Sequence, residues 1–147
     1  MSDIEKLVLP IRNEDDHLQC RMAAGDLAIT LGFGHIDEIR IAVAVSEIVR
    51  NVLDYAKHGE MCLAWDGQAL VVTISDHGPG IADIGAAMRD GYSTKGSLGL
   101  GLAGAKRLMG EMEISTSIGM GTTVIMRKVL DHGRAVDRTP AARFIRA

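Results

Sequence analysis

The stretch YSTKGSLGLGLAGAKRL, Tyr92 to Leu108, places glycines at 96, 99, 101 and 104 before and within a helical pattern. Glycine loses more chain entropy on folding than any other residue, so a cluster of it at the head of a helix marks a conformational need. One such need is a sharp surface turn. The other is an anion site, where backbone N–H groups bare of side chains converge on phosphate at a helix N-terminus. Lys95 and Lys106 flank the run, and Ser93, Thr94 and Ser97 add hydroxyls, which suits phosphate. The run has no Gly-Lys-Ser/Thr and lacks the third glycine of a dinucleotide fingerprint, so it is neither a Walker loop nor a Rossmann turn.

The surrounding chain has the length of one domain, 147 residues, of which 47% are hydrophobic. That is enough to bury a core, and it excludes wholesale disorder. A net charge of −3 disfavours a nucleic-acid partner. Sparse aromatics, with Trp65 the single tryptophan, disfavour a base-stacking surface. Cys20 and Cys62 lie in separate apolar segments and read as free thiols of a cytoplasmic protein, not as a disulfide or a metal site. No apolar run is long enough to span a bilayer and MSDIEKLVLP is not a signal peptide, so no membrane association is expected.

Periodicity divides the chain further. EKLVLPI (5–11) reads as an edge strand because of Pro10. Residues 13–34 read as a helix capped by Asn13 and stopped by Gly32 and Gly34. Residues 37–59 read as a second helix capped by Asp37 and closed by Gly59. Its Ile39, Val43, Val45, Ile48, Val49, Val52 and Leu53 spread too widely for a narrow stripe, which predicts a largely buried helix. Asp66-Gly67 between two apolar runs predicts a hairpin. A glycine-rich connection with one helical turn follows, then a third helix over 98–112 and two strands about Gly119-Met120-Gly121. The order β-α-α-β-β-loop-α-β-β predicts an α+β fold, a two-layer sandwich of a mixed sheet with helices on one face. Residues 1–130 form the domain, and 131–147, with four arginines against two aspartates, read as a flexible or loosely docked tail.

Four polar or glycine-rich blocks carry the chemistry. Glu47 and Asn51 lie four apart and share one face of the second helix. A carboxylate and an amide oxygen so placed can serve a proton acceptor and a hydrated Mg²⁺; a plain polar stripe is the alternative. ISDHGPGI runs a strand into Asp76, Gly78 and Gly80. A carboxylate there accepts hydrogen bonds only, which suits an exocyclic amino group such as adenine's, although an ordinary Asp-Gly turn has the same composition. The glycine run is the third block. The fourth, GMGTTV, joins turn glycines to Thr122 and Thr123, which are also at home in a strand.

Together, E-x-x-x-N on a helix, D-x-G-x-G after a strand, a G-x-G-x-G-like run before a helix and G-x-G-T before a final strand resemble the Bergerat-fold (GHKL) ATPases, the family of gyrase, Hsp90, sensor histidine kinases and MutL. The resemblance spans roughly residues 5–130. A free-standing domain of this length resembles the anti-sigma-factor serine/threonine kinases, and AVSEIVRN, GYSTKGSLGLGLAGAKRLM and GMGTTV look most like the switch-kinase branch that serves stressosomes. The resemblance implies ATP and Mg²⁺ as cofactors and phosphorylation of a STAS-domain partner in a stress-signalling, partner-switching pathway. A PP2C-type phosphatase or a sigma factor is a further partner. The alternative is a nucleotide-dependent module that acts by sequestration.

Residue by residue, it implies Glu47 as general base and Asn51 as Mg²⁺ ligand. Asp76 would bind the adenine amino group, with Gly78 and Gly80 giving the ring room and Thr122 or Thr123 nearby. Gly99 and Gly101 would contact phosphates, with Lys95 as a phosphate partner. Arg21 would contact a partner protein, with a solvated surface arginine as the equal alternative. Arg50 adjoins Asn51, and His77 reads as a loop histidine facing water.

Overall fold

The structure is a computed structural model that describes residues 6–88 and 101–131. Lys95, Gly99 and the 132–147 part of the tail lie outside the described residues. Strand β1 (Leu7–Ile11) leads into helix α1 (Glu14–Leu31) and helix α2 (His35–Asn51). Strands β2 (Gly59–Trp65) and β3 (Ala69–Asp76) follow, then a short helix α3 (Ile84–Ala87), helix α4 (Leu102–Met109) and strands β4 (Glu111–Ser117) and β5 (Gly121–Val129).

The strands form one five-stranded sheet in the order β1-β2-β3-β5-β4. The α+β two-layer expectation holds, but the sheet is not mixed: every pairing is antiparallel. The α1–α2 hairpin brings β2 back antiparallel to β1, and although β4 runs in the same sense as β3, the two never pair because β5 lies antiparallel between them. Pro10 sits in the edge strand β1, where its missing N–H costs no inner ladder bond.

Local chemistry fixes the elements. Asn13 caps α1, its Oδ1 accepting the Asp16 N–H at 2.8 Å. Gly32 ends α1 in the left-handed region at φ 105°, and the N–H groups of Gly32 and Phe33 both reach the Ala28 carbonyl. Helix α2 starts earlier than expected. Gly34, not Asp37, is its N-cap, and Asp37 lies in the first turn, where its charge suits the helix dipole. Nor does α2 run to Gly59. It ends at Asn51 and widens into a π-helical turn, Val52–Ala56, while Gly59 opens β2. Asp66-Gly67 makes the predicted hairpin, with the Asp66 carboxylate accepting from Gln68 and Ala69 N–H and Gly67 at φ 96°.

The core lies between the sheet and helices α1, α2 and α4. It includes Ile11, Cys20, Ala24, Ile41, Val45, Val49, Met61, Leu63, Leu70, Val72, Leu102 and Met126, all essentially without solvent contact. Burial pushes the Cys20 thiol up to about 11, so it is an inert core group. Helix α2 is less buried than its sequence suggested. Val45, Ile48, Val49 and Val52 are in the core, but Ile39 and Val43 are 48% and 42% exposed. Helix α1 packs along one flank of α2 only, and those two residues face outward.

Candidate functional site

A cavity of about 200 Å³ opens between the end of α2, the end of β3, the head of α4 and the start of β5. Ile48, Val52, Ile74, Ile81, Leu102 and Val124 give it apolar walls, and Asn51, Tyr55, Asp76 and Thr122 are its polar lining. Helical spacing brings Glu47, Asn51 and Tyr55 to successive turns of one face. The π-helical turn then swings Tyr55 and Ala56 over the cavity. It closes at Lys57, the one described non-glycine residue with positive φ, at 79°. π-turns and such backbone outliers concentrate at functional sites.

Asp76 stands at the end of β3. Its Oδ1 accepts the Gly78 N–H at 2.8 Å and the Thr122 N–H at 3.2 Å. One carboxylate oxygen is therefore tied to the frame, and Oδ2 accepts no hydrogen bond among the described residues. Gly80, at φ 84°, lines the cavity, and a Cβ there would meet the Ser117 carbonyl at 2.5 Å. Gly78 packs elsewhere: a Cβ would run into Ala56. The tip of the β4–β5 hairpin clasps this loop, as Gly119 N–H donates to the Pro79 carbonyl at 2.8 Å.

Strand alternation separates the two threonines. Thr122 shares the helix-facing side of β5 with Val124 and Met126 and lines the cavity; Thr123 falls on the opposite side of the sheet and does not line it. Gly101, the N-cap of α4 at φ 69°, lies against the Glu47 side chain, and a Cβ on it would overlap Glu47 Oε1. The structure thus brings Asn51, Asp76, Gly80 and Thr122 to one cavity and sets Glu47 and Gly101 together at the head of α4.

Arg50 does not join them. It makes a two-pronged bond to Glu14 at 2.8 and 2.7 Å, which ties the end of α2 to the start of α1 and holds the Glu14 carboxyl below its ordinary range. Arg21 is exposed on α1 and enters no ion pair among the described residues. His77 is exposed, in line with its reading as a loop histidine. Tyr55 and Thr116 went unread in the sequence. Tyr55 was detectable as the next step of the i, i+4 ladder from Glu47 and Asn51, whereas Thr116 looks like any strand threonine.

The family model for histidine kinase-, DNA gyrase B-, and HSP90-like ATPases matches residues 36–132. The chain belongs to that family, and use of a nucleotide goes with membership. It is similar to the serine/threonine-protein kinase RsbT of Bacillus subtilis, with 40% identity over 118 residues that cover 78% of this chain and 89% of that protein. It is 30% identical to an anti-sigma F factor of Halalkalibacterium halodurans over 111 residues, 69% of this chain and 76% of the relative. An anti-sigma F factor of Oceanobacillus iheyensis is 31% identical over 112 residues, with the same coverage.

The residues present fit a purine nucleotide. Apolar walls suit a flat ring, and the Asp76 carboxylate could accept from an amino group; the absent side chain of Gly80 makes room for the Ser117 carbonyl at the cavity edge, not for the ring itself. Asn51 could offer a hard amide oxygen of the kind Mg²⁺ takes, with the Glu47 carboxylate one helical turn away. Among the described residues, no helix is long and apolar enough to cross a membrane.

Proposed function

We propose that this chain is an ATP- and Mg²⁺-dependent protein serine/threonine kinase that phosphorylates a STAS-domain partner in cytoplasmic partner switching, and that it activates a PP2C-type phosphatase by binding once released. The observation that carries this reading is the placement of Glu47, one helical turn before the cavity residue Asn51 and against Gly101 at the head of α4. A carboxylate at that place can take the proton of an incoming serine or threonine hydroxyl. The hydroxyl oxygen then bonds to the γ-phosphorus as the bond to the β,γ-bridging oxygen breaks, leaving ADP. ATP with Mg²⁺ supplies the phosphoryl group and neutralises its charge.

This chain's residues would position the parts. Asp76 and Thr122 would hold the base, Gly80 would line its pocket, and Asn51 would hold the metal. Gly99, Gly101 and Lys95 would meet the phosphates, and Arg21 would meet the partner. Incubation with labelled ATP and a STAS-domain protein tests the reading: acid-stable label on a serine or threonine of the partner is expected. Acid-labile label would mark a histidine kinase instead.

A second reading has its own support in the anti-sigma F factors among the relatives. There, the chain would sequester a sigma factor or a phosphatase in a nucleotide-dependent complex. Tight complex formation with no label on any partner is the result expected of it.

A further inference from the structure

The adenine end of the cavity hangs on one hydroxyl. Thr116 of β4 and Thr122 of β5 are register partners, and their Oγ1 atoms lie 2.9 Å apart. Thr116 Oγ1 also accepts the Ile81 N–H at 2.9 Å and lies 3.2 Å from the Gly121 carbonyl oxygen. A threonine hydroxyl has one proton and two lone pairs. The Ile81 N–H occupies one lone pair. The Gly121 carbonyl can only accept, so it takes the proton. The bond between the threonines is then made only if Thr122 donates into the second lone pair. One arrangement satisfies all three contacts, and it turns the Thr122 proton away from the cavity. Thr122 is 9% exposed, so a bond given up here is not replaced by bulk water.

We infer that Thr116 is a positioning residue that fixes the polarity of the Thr122 hydroxyl, making this wall of the cavity acceptor-only and selecting 6-amino over 6-oxo purine nucleotides. The inference rests on the nucleotide reading above. Thr122 Oγ1 offers lone pairs, and the Asp76 carboxylate beside it also only accepts. A 6-amino group brings two N–H donors to that wall. A 6-oxo group brings lone pairs against lone pairs. It can be met by a donor only if Thr122 turns, and Thr122 can turn without losing its partner only if Thr116 abandons the Gly121 carbonyl. Selection thus acts by repulsion as well as by attraction.

Calorimetric binding of ATP, purine riboside triphosphate and inosine triphosphate tests this. Purine riboside carries nothing at position 6 and sets the neutral reference. In the wild type, the inosine nucleotide should bind roughly tenfold or more weaker than the purine riboside nucleotide, and ATP tightest. Thr116→Val keeps the shape and releases the Thr122 proton, so the inosine nucleotide should come within about threefold of the reference. Thr116→Ser restores the hydroxyl and should restore the wild-type order. Equal wild-type binding of the inosine and purine riboside nucleotides overturns the inference, and so does a wild-type ratio in the folded valine variant. The wild-type series decides alone if that variant does not fold. Absence of ATP binding in the wild type would instead overturn the nucleotide reading itself.

Discussion

Gly101 and Glu47 are fitted to each other: the Glu47 carboxylate fills the space that a Cβ on Gly101 would take. Glu47→Gln keeps size and polarity but cannot take a proton. ATP should bind as before while transfer slows by roughly 10²–10⁴-fold. Gly101→Ala adds a methyl group that meets the carboxylate and strains a residue at φ 69°, and it should cost about 1 kcal/mol of stability as well as transfer rate. If both act through the placement of one carboxylate, the double variant should transfer no more slowly than Glu47→Gln alone. Single-turnover rates for the three variants check this, and multiplying losses would show independent roles.

Asp76→Asn should weaken ATP binding. An amide oriented to keep its oxygen on the Gly78 and Thr122 N–H groups turns its NH₂ toward the cavity, where it faces the amino group of adenine. A loss of roughly ten- to a hundredfold in affinity is expected in a calorimetric titration, with little change in melting temperature. Unchanged affinity would remove Asp76 from the site.

Lys57→Gly should stabilise the protein. At φ 79° and ψ −44°, lysine pays local strain of about 1–3 kcal/mol. Glycine would relieve most of it and return roughly 0.5–1 kcal/mol through the freer unfolded chain. The expected net gain is about 1 kcal/mol in urea unfolding. A loss would mean that the lysine side chain holds the π-helical turn in place.

Acid should loosen the start of α1. Arg50 draws the Glu14 carboxyl down, and Arg12, through its side chain and its N–H, does the same to Asp16. Both groups titrate lower folded than unfolded, so their contribution is complete above about pH 5 and fades as pH falls through the lowered folded values. Unfolding free energy measured against pH should fall less steeply in acid for Glu14→Gln and Asp16→Asn than for the wild type. Added salt should shrink the difference, because both arginines are exposed partners.

Much of this was legible in the chain. Asn13, Gly32 and Asp66-Gly67 each act through local chemistry, so the sequence alone marks the ends of α1 and the β2–β3 hairpin. Antiparallel pairing of β3 with β5 was not legible, because it depends on where segments some 45 residues apart come to rest. The exposure of Ile39 and Val43 depends on which flank of α2 its neighbour covers, which periodicity does not say. In the site, Asn51, Asp76 and Gly80 stood out as polar or flexible residues in apolar surroundings. Choosing Thr122 over Thr123 required the strand register, since one residue decides the face. Thr116 acquires meaning only through three partners from two distant places in the chain, Ile81 and the Gly121-Thr122 pair.

Strand β5 is made after β4 yet lies inside it in the sheet, between β4 and β3. A chain growing from its N-terminus therefore has β3 and β4 before it has the strand that joins them. Until residues 121–129 leave the ribosome, β3 keeps an open edge, β4 has no neighbour, and the wall that carries Thr122 does not exist. The cavity is completed by almost the last of the described residues to be synthesised. A product that stops short of Gly121 lacks the β5 wall with Thr122 and Val124, so it should not compete with the finished protein for nucleotide.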